Sequence, residues 1–217
     1  MIIAEAKSPA ARRSAAVEAT AGPVVIDRRL LELPYRVEVT PQGCLILTPL
    51  QKPGLTWEQL ATTHPILPGD LKWKVETNTD NQIFMSPPPH VDHQEYGTEI
   101  VRLLFALLPG GRPISEAGVQ TRDGTREPDV VWASDERRRA RGRRASFVLA
   151  PEICVEILSP ANTRKEIDEK KRLYFEAGAL EFWRCDRNGK MAFFDANGTL
   201  PRSRLCPDFP TRLDPFA

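Results

Sequence analysis

Between residues 151 and 178 the apolar and polar positions of the chain fall into two clear periods. Ile153-Cys154-Val155-Glu156-Ile157-Leu158 is apolar at odd and even positions alike, the pattern of a strand covered on both faces. Beyond Ser159-Pro160, the residues Ile167, Lys170, Tyr174 and Ala177 recur at helical spacing, and Gly178 supplies a stop. A strand, a turn and a helix are predicted. In each element one charged residue stands where the pattern reserves a place for a hydrophobe: Glu156 in the strand and Lys170 on the helix stripe. A carboxylate among apolar neighbours is unfavourable unless a cation, a metal or several donors meet it. Two readings of the pair are open from these residues alone. It is a buried ion pair that fixes the helix on the sheet, or it is two halves of a site.

The rest of the pattern can be read in chain order. Residues 1–34, rich in Ala and Arg without a sustained period, are expected to form a flexible arm. Residues 35–70 predict a hairpin, Tyr35–Val39 and Cys44–Leu47 about a Pro41-Gln42-Gly43 turn, and then a short helix opened by the capping box Thr56-Trp57-Glu58-Gln59. A core unit is expected over residues 71–198 and a tail with little pattern over residues 199–217. Within the core, Leu71–Thr77 and Ile83–Ser86 bracket a polar NTDNQ turn as a second hairpin. Tyr96, Ile100, Leu103, Leu104 and Leu107 form the apolar face of a helix stopped by Pro109-Gly110-Gly111, and His93 lies at the start of that face. Pro113–Thr121 and Glu127–Ala133 read as two strands of a hairpin about Arg122-Asp123-Gly124. Asp129 opens the second of them beside apolar residues, as a turn or cap aspartate or as a second functional carboxylate. A third hairpin is predicted from Leu180–Cys185 and Met191–Phe194 about Asp186-Arg187-Asn188-Gly189.

Charge narrows the function classes. Thirty Lys and Arg against 29 Asp and Glu give a net charge near zero, so an electrostatic footprint for nucleic acid has to be local. The local candidate is the run Arg137, Arg138, Arg139, Arg141, Arg143 and Arg144, expected to form an exposed loop. It reads either as a phosphate-tracking surface or as a solvated connector. No apolar run reaches membrane-spanning length, and the N-terminus lacks the apolar core of a secretory signal. Cys44, Cys154, Cys185 and Cys206 are widely spaced, which disfavours a disulfide framework or a zinc site and fits a cytoplasmic protein. The sequence contains no G-x-G-x-x-G, P-loop, H-E-x-x-H or G-x-S-x-G motif.

The order of a Pro-Asp strand, a strand with a glutamate and then a lysine resembles the PD-(D/E)xK nucleases, and within them the Uma-type family of restriction endonucleases. The resemblance is carried by Pro128-Asp129-Val130-Val131-Trp132, by Pro151–Pro160, by Glu166, Lys170 and Tyr174, and by Gly178–Trp183. Met85-Ser86-Pro87-Pro88, His93 and the strand bearing Glu76 extend it upstream, so that it spans Leu71–Phe194. It implies an α/β fold with a central mixed β-sheet and flanking helices, and metal-dependent endonuclease activity on nucleic acid, with DNA as the expected partner. It also implies Asp129 and Glu156 as ligands of Mg²⁺ or Mn²⁺, Lys170 as the catalytic lysine, and His93 and Glu76 as accessory or merely satisfied polar residues. The superfamily pattern places its lysine two residues after the glutamate, where this chain has Leu158. The resemblance assigns that role to Lys170 on the following helix, whereas its neighbour Lys171 faces away from the stripe. A catalytically silent nucleic-acid-binding protein on the same scaffold is the alternative reading. Double-strand cutting would need two sites or two passes, and a homodimer is one way to supply two sites.

Overall fold

The computed structural model describes residues 35–41, 43–51, 56–63 and 73–214; the arm expected over residues 1–34 lies outside them. The first hairpin forms as its alternation predicts, with β1 (Tyr35–Val39) antiparallel to β2 (Leu45–Pro49). Helix α1 (Trp57–Thr63) opens on a reciprocal capping box: Thr56 N donates to Gln59 Oε1 at 2.8 Å, and Gln59 N donates to Thr56 Oγ1 at 3.3 Å. The second hairpin, β3 (Lys74–Thr77) with β4 (Ile83–Ser86), joins the first through a β2–β4 pairing, giving one sheet of order β1-β2-β4-β3. Tyr35, Leu45, Leu47, Val75, Ile83 and Met85 make a small core on one face of this sheet, together with Leu60 of α1. Side chains alternate along a strand. With Val75 committed to that core, Lys74 and Glu76 project from the opposite face of β3.

Helix α2 (Val91–Leu107) buries Tyr96, Ile100 and Leu104 as expected, whereas Leu107 at its last turn is exposed. The next segment departs from the predicted single hairpin. The chain forms β5 (Gly111–Ser115), β6 (Gly118–Thr121), β7 (Gly124–Arg126) and β8 (Val130–Ser134), with β5 paired to β8 and β6 paired to β7. The Asp-Gly turn is where the sequence places it. At Glu116, however, the backbone takes a positive φ of 50° and its N–H bonds back to Asp129 O at 3.2 Å. The intervening hairpin is thereby turned out of the main sheet.

The arginine run is only in part the exposed loop expected of it. Arg137, Arg138, Arg139 and Arg141 lie in a helix, α3 (Asp135–Arg141), in which Ser134 Oγ accepts from Arg137 N at 3.2 Å, while Arg143 and Arg144 follow it as exposed loop. Asp135 and Glu136 occupy the first turn and arginines the last, the charge order that suits a helix dipole. The short strand β9 (Ser146–Phe147) then pairs parallel with β6.

The central sheet is completed by β10 (Ile153–Ile157), β11 (Glu181–Cys185), β12 (Met191–Asp195) and β13 (Gly198–Leu200), in the order β13-β12-β11-β10-β8-β5. It is mixed: β10 runs parallel to β11 and antiparallel to β8. The parallel pair needs a crossover, and α4 (Arg164–Glu176) provides it, ending at Gly178 with φ 100°. Every residue of β10 is buried, as its two-sided pattern requires. Ile153, Val155 and Ile157 join the core that includes Tyr96, Ile100 and Leu104 of α2, while Cys154 belongs to the core on the other face with Ile167 and Tyr174 of α4.

The last residues read from sequence as patternless, yet they pack closely. Cys206, Phe209 and Leu213 are buried against the central sheet, with Phe209 4.6 Å from the Trp183 ring centroid. One carboxylate holds the segment, with three of its four donors coming from it. Glu181 accepts from Trp183 Nε1 (2.6 Å), Ser203 Oγ (2.7 Å), Arg204 N (2.7 Å) and Leu205 N (3.0 Å). All four cysteines are free, and no helix among the described residues is long and apolar enough to cross a membrane.

Candidate active site

Alternation on β10 turns Glu156 toward α4, on the same face as Cys154. The residue is only 3 % exposed, so its carboxylate needs partners. Tyr174 Oη donates to Oε1 at 2.6 Å and Lys170 Nζ lies 3.4 Å from the same oxygen, both from the buried stripe of α4. The other oxygen, Oε2, is 3.8 Å from Lys74 Nζ. Asp129 sits just before β8, next to the end of β10. Its Oδ2 accepts from Ile157 N at 2.7 Å and lies 3.3 Å from His93 Nε2, while its Oδ1 accepts from Lys74 Nζ at 2.7 Å. Each carboxylate therefore has one oxygen held by the fold and one turned toward the same ammonium group.

Glu76 completes the cluster from β3. Its Oε1 accepts from Lys170 Nζ at 2.8 Å and from Glu127 N at 3.1 Å. Both atoms facing His93 Nε2 are acceptors, Asp129 Oδ2 and Ile157 O at 3.2 Å, so this nitrogen carries a proton. Glu76, Asp129, Glu156, Lys170 and His93 are thus brought together from five elements or their edges. Lys171 points elsewhere, pairing with Asp168 at 3.0 Å and covering the Phe194 ring.

The electrostatics follow from this packing. Burial pushes the Glu156 carboxyl up, more than Lys170 and Lys74 pull it down, and the neighbouring Asp129 and Glu76 charges add to the rise. Asp129 moves the other way: against its burial, the Lys74 charge and the bond to His93 hold it well below the usual carboxylate range. Glu76 is also lowered, Lys170 and Lys74 overcoming its desolvation. Both lysines are raised despite burial by the carboxylates around them. Burial disfavours the charged His93 ring, but the hydrogen bond and charge of Asp129 outweigh it and the pKa rises. Glu127, beside the cluster, is pushed up to about 7 by desolvation.

Two of these residues carry more of the geometry than the sequence suggests. Lys74 touches both Asp129 and Glu156; the signal for it is the Lys-x-Glu spacing on β3, which puts Lys74 on the face of Glu76. Tyr174 belongs to the predicted apolar stripe, but its hydroxyl is the shortest contact to Glu156 described above. In a Tyr174→Phe protein that carboxylate loses a buried donor, and stability should fall by about 1–3 kcal/mol in urea denaturation. An unchanged midpoint would show that the hydroxyl does not hold Glu156.

The arginine run is not brought to this cluster. It follows the far end of β8, five residues and roughly 16 Å from Asp129 at strand rise. Arg137 is only 14 % exposed in its side chain. It pairs with Glu152 at 3.2 Å and donates to the carbonyls of Ala150 and Gly178, so it ties α3 to the loops flanking β10 and α4. Arg138 pairs with Asp135 at 2.8 Å.

The donor set bears on a metal. Among the described residues, no three His, Cys, Asp or Glu side chains gather closely enough to form a ready-made metal cage. Mg²⁺ does not ask for one, since it binds through one or two carboxylates and keeps several waters. Asp129 Oδ1 and Glu156 Oε2 already face one shared positive charge, the Lys74 ammonium. The pair fits a hard divalent ion.

A mixed central sheet flanked by helices, with carboxylates converging at the end of its middle strands, defines a restriction-endonuclease-like α/β fold. The crystal structure of a protein described as a putative nuclease belonging to DUF820, from Anabaena variabilis, has the same fold: the TM-score is 0.54 at 18% identity, over 65% of this chain and 87% of that one. No protein of curated function matches the sequence. Residues 59–198, well over half of the chain, match the Uma2 family, described as "Putative restriction endonuclease", and the chain belongs to that family.

Proposed function

We propose that this protein is a metal-dependent endonuclease that hydrolyses phosphodiester bonds, with DNA as its substrate in the cytoplasm. The observation that carries the reading is the orientation of two carboxylates from adjacent strands. Asp129 and Glu156 each have one oxygen fixed by the fold and the other turned to a shared cation. Membership of the Uma2 family supports it. A Mg²⁺ or Mn²⁺ ion held by these two residues would polarise the scissile phosphate and lower the pKa of an attacking water.

The chain's own groups set up that chemistry. Ile157 N and His93 hold Asp129 Oδ2, which keeps Oδ1 directed into the site. Tyr174 does the same for Glu156 through Oε1. Lys170, braced between Glu76 and Glu156, stands as the helix-borne lysine in place of the one displaced by Leu158, and its fixed charge offsets negative charge developing on the phosphate. Glu76 and His93 act on the reaction by orienting Lys170 and Asp129. A double-strand break would draw on two such sites, as a homodimer supplies.

A silent binding protein is the competing reading, favoured by the completeness of the ion pairing around the carboxylates. One assay separates the two. Supercoiled plasmid incubated with the protein should be nicked or linearised in Mg²⁺ or Mn²⁺ and left intact with a chelator. Retarded but uncut DNA, across both metals and single- and double-stranded substrates, would favour the silent reading.

A further inference from the structure

Lys74 has a place in this cluster that the lysine pattern of the superfamily does not foresee. It reaches in from the other sheet, on β3, the end strand of the order β1-β2-β4-β3. Its ammonium lies 2.7 Å from Asp129 Oδ1 and 3.8 Å from Glu156 Oε2, the two oxygens that the fold leaves unclaimed. Lys170 differs from it in surroundings. The Lys170 side chain is 9 % exposed and bonded to Glu76, whereas that of Lys74 is 17 % exposed on a flexible four-carbon stem.

Resting on the nuclease reading above, we propose that Lys74 is a built-in stand-in for the divalent ion. It occupies the ion's place between Asp129 and Glu156, and it becomes a contact for the substrate phosphate when the ion displaces it. An ion bonded to Oδ1 and Oε2 would take the two oxygens that the ammonium now faces, and the two like charges would repel each other across Oδ1. Charge balance points to where the ammonium goes next. Counted as ionised and with His93 neutral, Glu76, Asp129 and Glu156 against Lys74 and Lys170 leave the cluster one negative charge in excess. A divalent ion alone turns that into one positive charge in excess, and a phosphodiester brings it to zero. The site is balanced with both ion and phosphate present, so each favours the binding of the other. Lys74 thereby makes ion binding weak until nucleic acid arrives, and then gives the displaced cation an anion to meet.

The test is a Mn²⁺ titration of the full-length protein, with free Mn²⁺ followed by electron paramagnetic resonance. Lys74→Met should bind Mn²⁺ at least about tenfold more tightly than wild type, because the competing charge is gone. The same variant should cleave plasmid more slowly, so the two readouts move in opposite directions. Lys74→Arg, which keeps the charge, should stay close to the wild-type affinity. Where Lys74→Met does not fold by circular dichroism, Lys74→Gln serves in its place. Equal or weaker Mn²⁺ binding in the neutral variant, with Asp129→Ala still abolishing binding, overturns the role of Lys74 and leaves the metal site standing. Undiminished Mn²⁺ binding in Asp129→Ala overturns the metal assignment itself, and the role of Lys74 with it.

Discussion

Asp129→Ala should show none of the thermal stabilisation expected of the wild-type protein in saturating Mg²⁺ or Mn²⁺. A ligand that binds only the folded state at about 100 times its dissociation constant adds roughly 2.7 kcal/mol. In a chain of this size that is a rise of about 5–10 °C in Tm, and the variant should show none of it. The metal-free variant should also be less stable than wild type. Removing the carboxylate strips Lys74 of its closest partner and leaves Ile157 N without its acceptor. Breaking a buried pair on one side costs about 3–5 kcal/mol, and the partial exposure of Lys74 reduces this to about 2–3 kcal/mol. Asp129→Asn, of nearly the same shape, separates the two effects: it should recover part of the stability and none of the metal response. Equal metal-induced shifts in Asp129→Ala and wild type would remove Asp129 from the site.

The second large effect is expected far from the chemistry. Glu181→Ala leaves four donors without their acceptor, two of them backbone amides of the C-terminal segment. Orphaned buried groups cost about 1–3 kcal/mol each, and water entering the vacated space recovers part of that. We expect a loss of about 4 kcal/mol, which is roughly 8–16 °C in Tm for this size of chain. Hydrogen exchange should show Arg204 and Leu205 losing protection first, since their amides point at the missing carboxylate. A loss below about 1 kcal/mol would mean that the packing of Phe209 and Leu213 alone holds the segment.

Much of the fold around the candidate site is legible in the sequence because β10 and α4 are extreme cases. A strand apolar on both parities has to be central, and a helix stripe with one lysine in it has to explain that lysine. Glu156 and Lys170 stand out as anomalies for the same reason that they need each other. Lys74 does not stand out, because a lysine alternating with Trp73 and Val75 looks like an ordinary solvent-facing position on a hairpin. Only the packing of one sheet against another turns that face inward, and local period carries no record of it.

The misread elements have similar causes. The alternation of Pro113–Thr121 and Glu127–Ala133 shows strands but not their partners, and the turn at Asp123-Gly124 joins only the inner pair, β6 and β7. In the arginine run, charge density suggests solvation. The stronger local signals were the cap at Ser134, the acids of the first turn and the stop at Gly142, and together they specify a helix. The C-terminal segment has no period to read, since an irregular chain is held there by hydrogen bonds to Glu181 rather than by a repeating face.

The central claim is that Asp129 and Glu156 are arranged to hold a divalent ion for phosphodiester hydrolysis. It is tested most directly by the rate at which supercoiled plasmid is cut in Mn²⁺ by wild type and by Asp129→Asn, side by side. Losing a group that only orients a metal ligand costs about 10–100-fold, so losing the ligand itself should slow cleavage more than about 100-fold. Cleavage by Asp129→Asn at the wild-type rate, or no cleavage by wild type in either metal, would contradict the account.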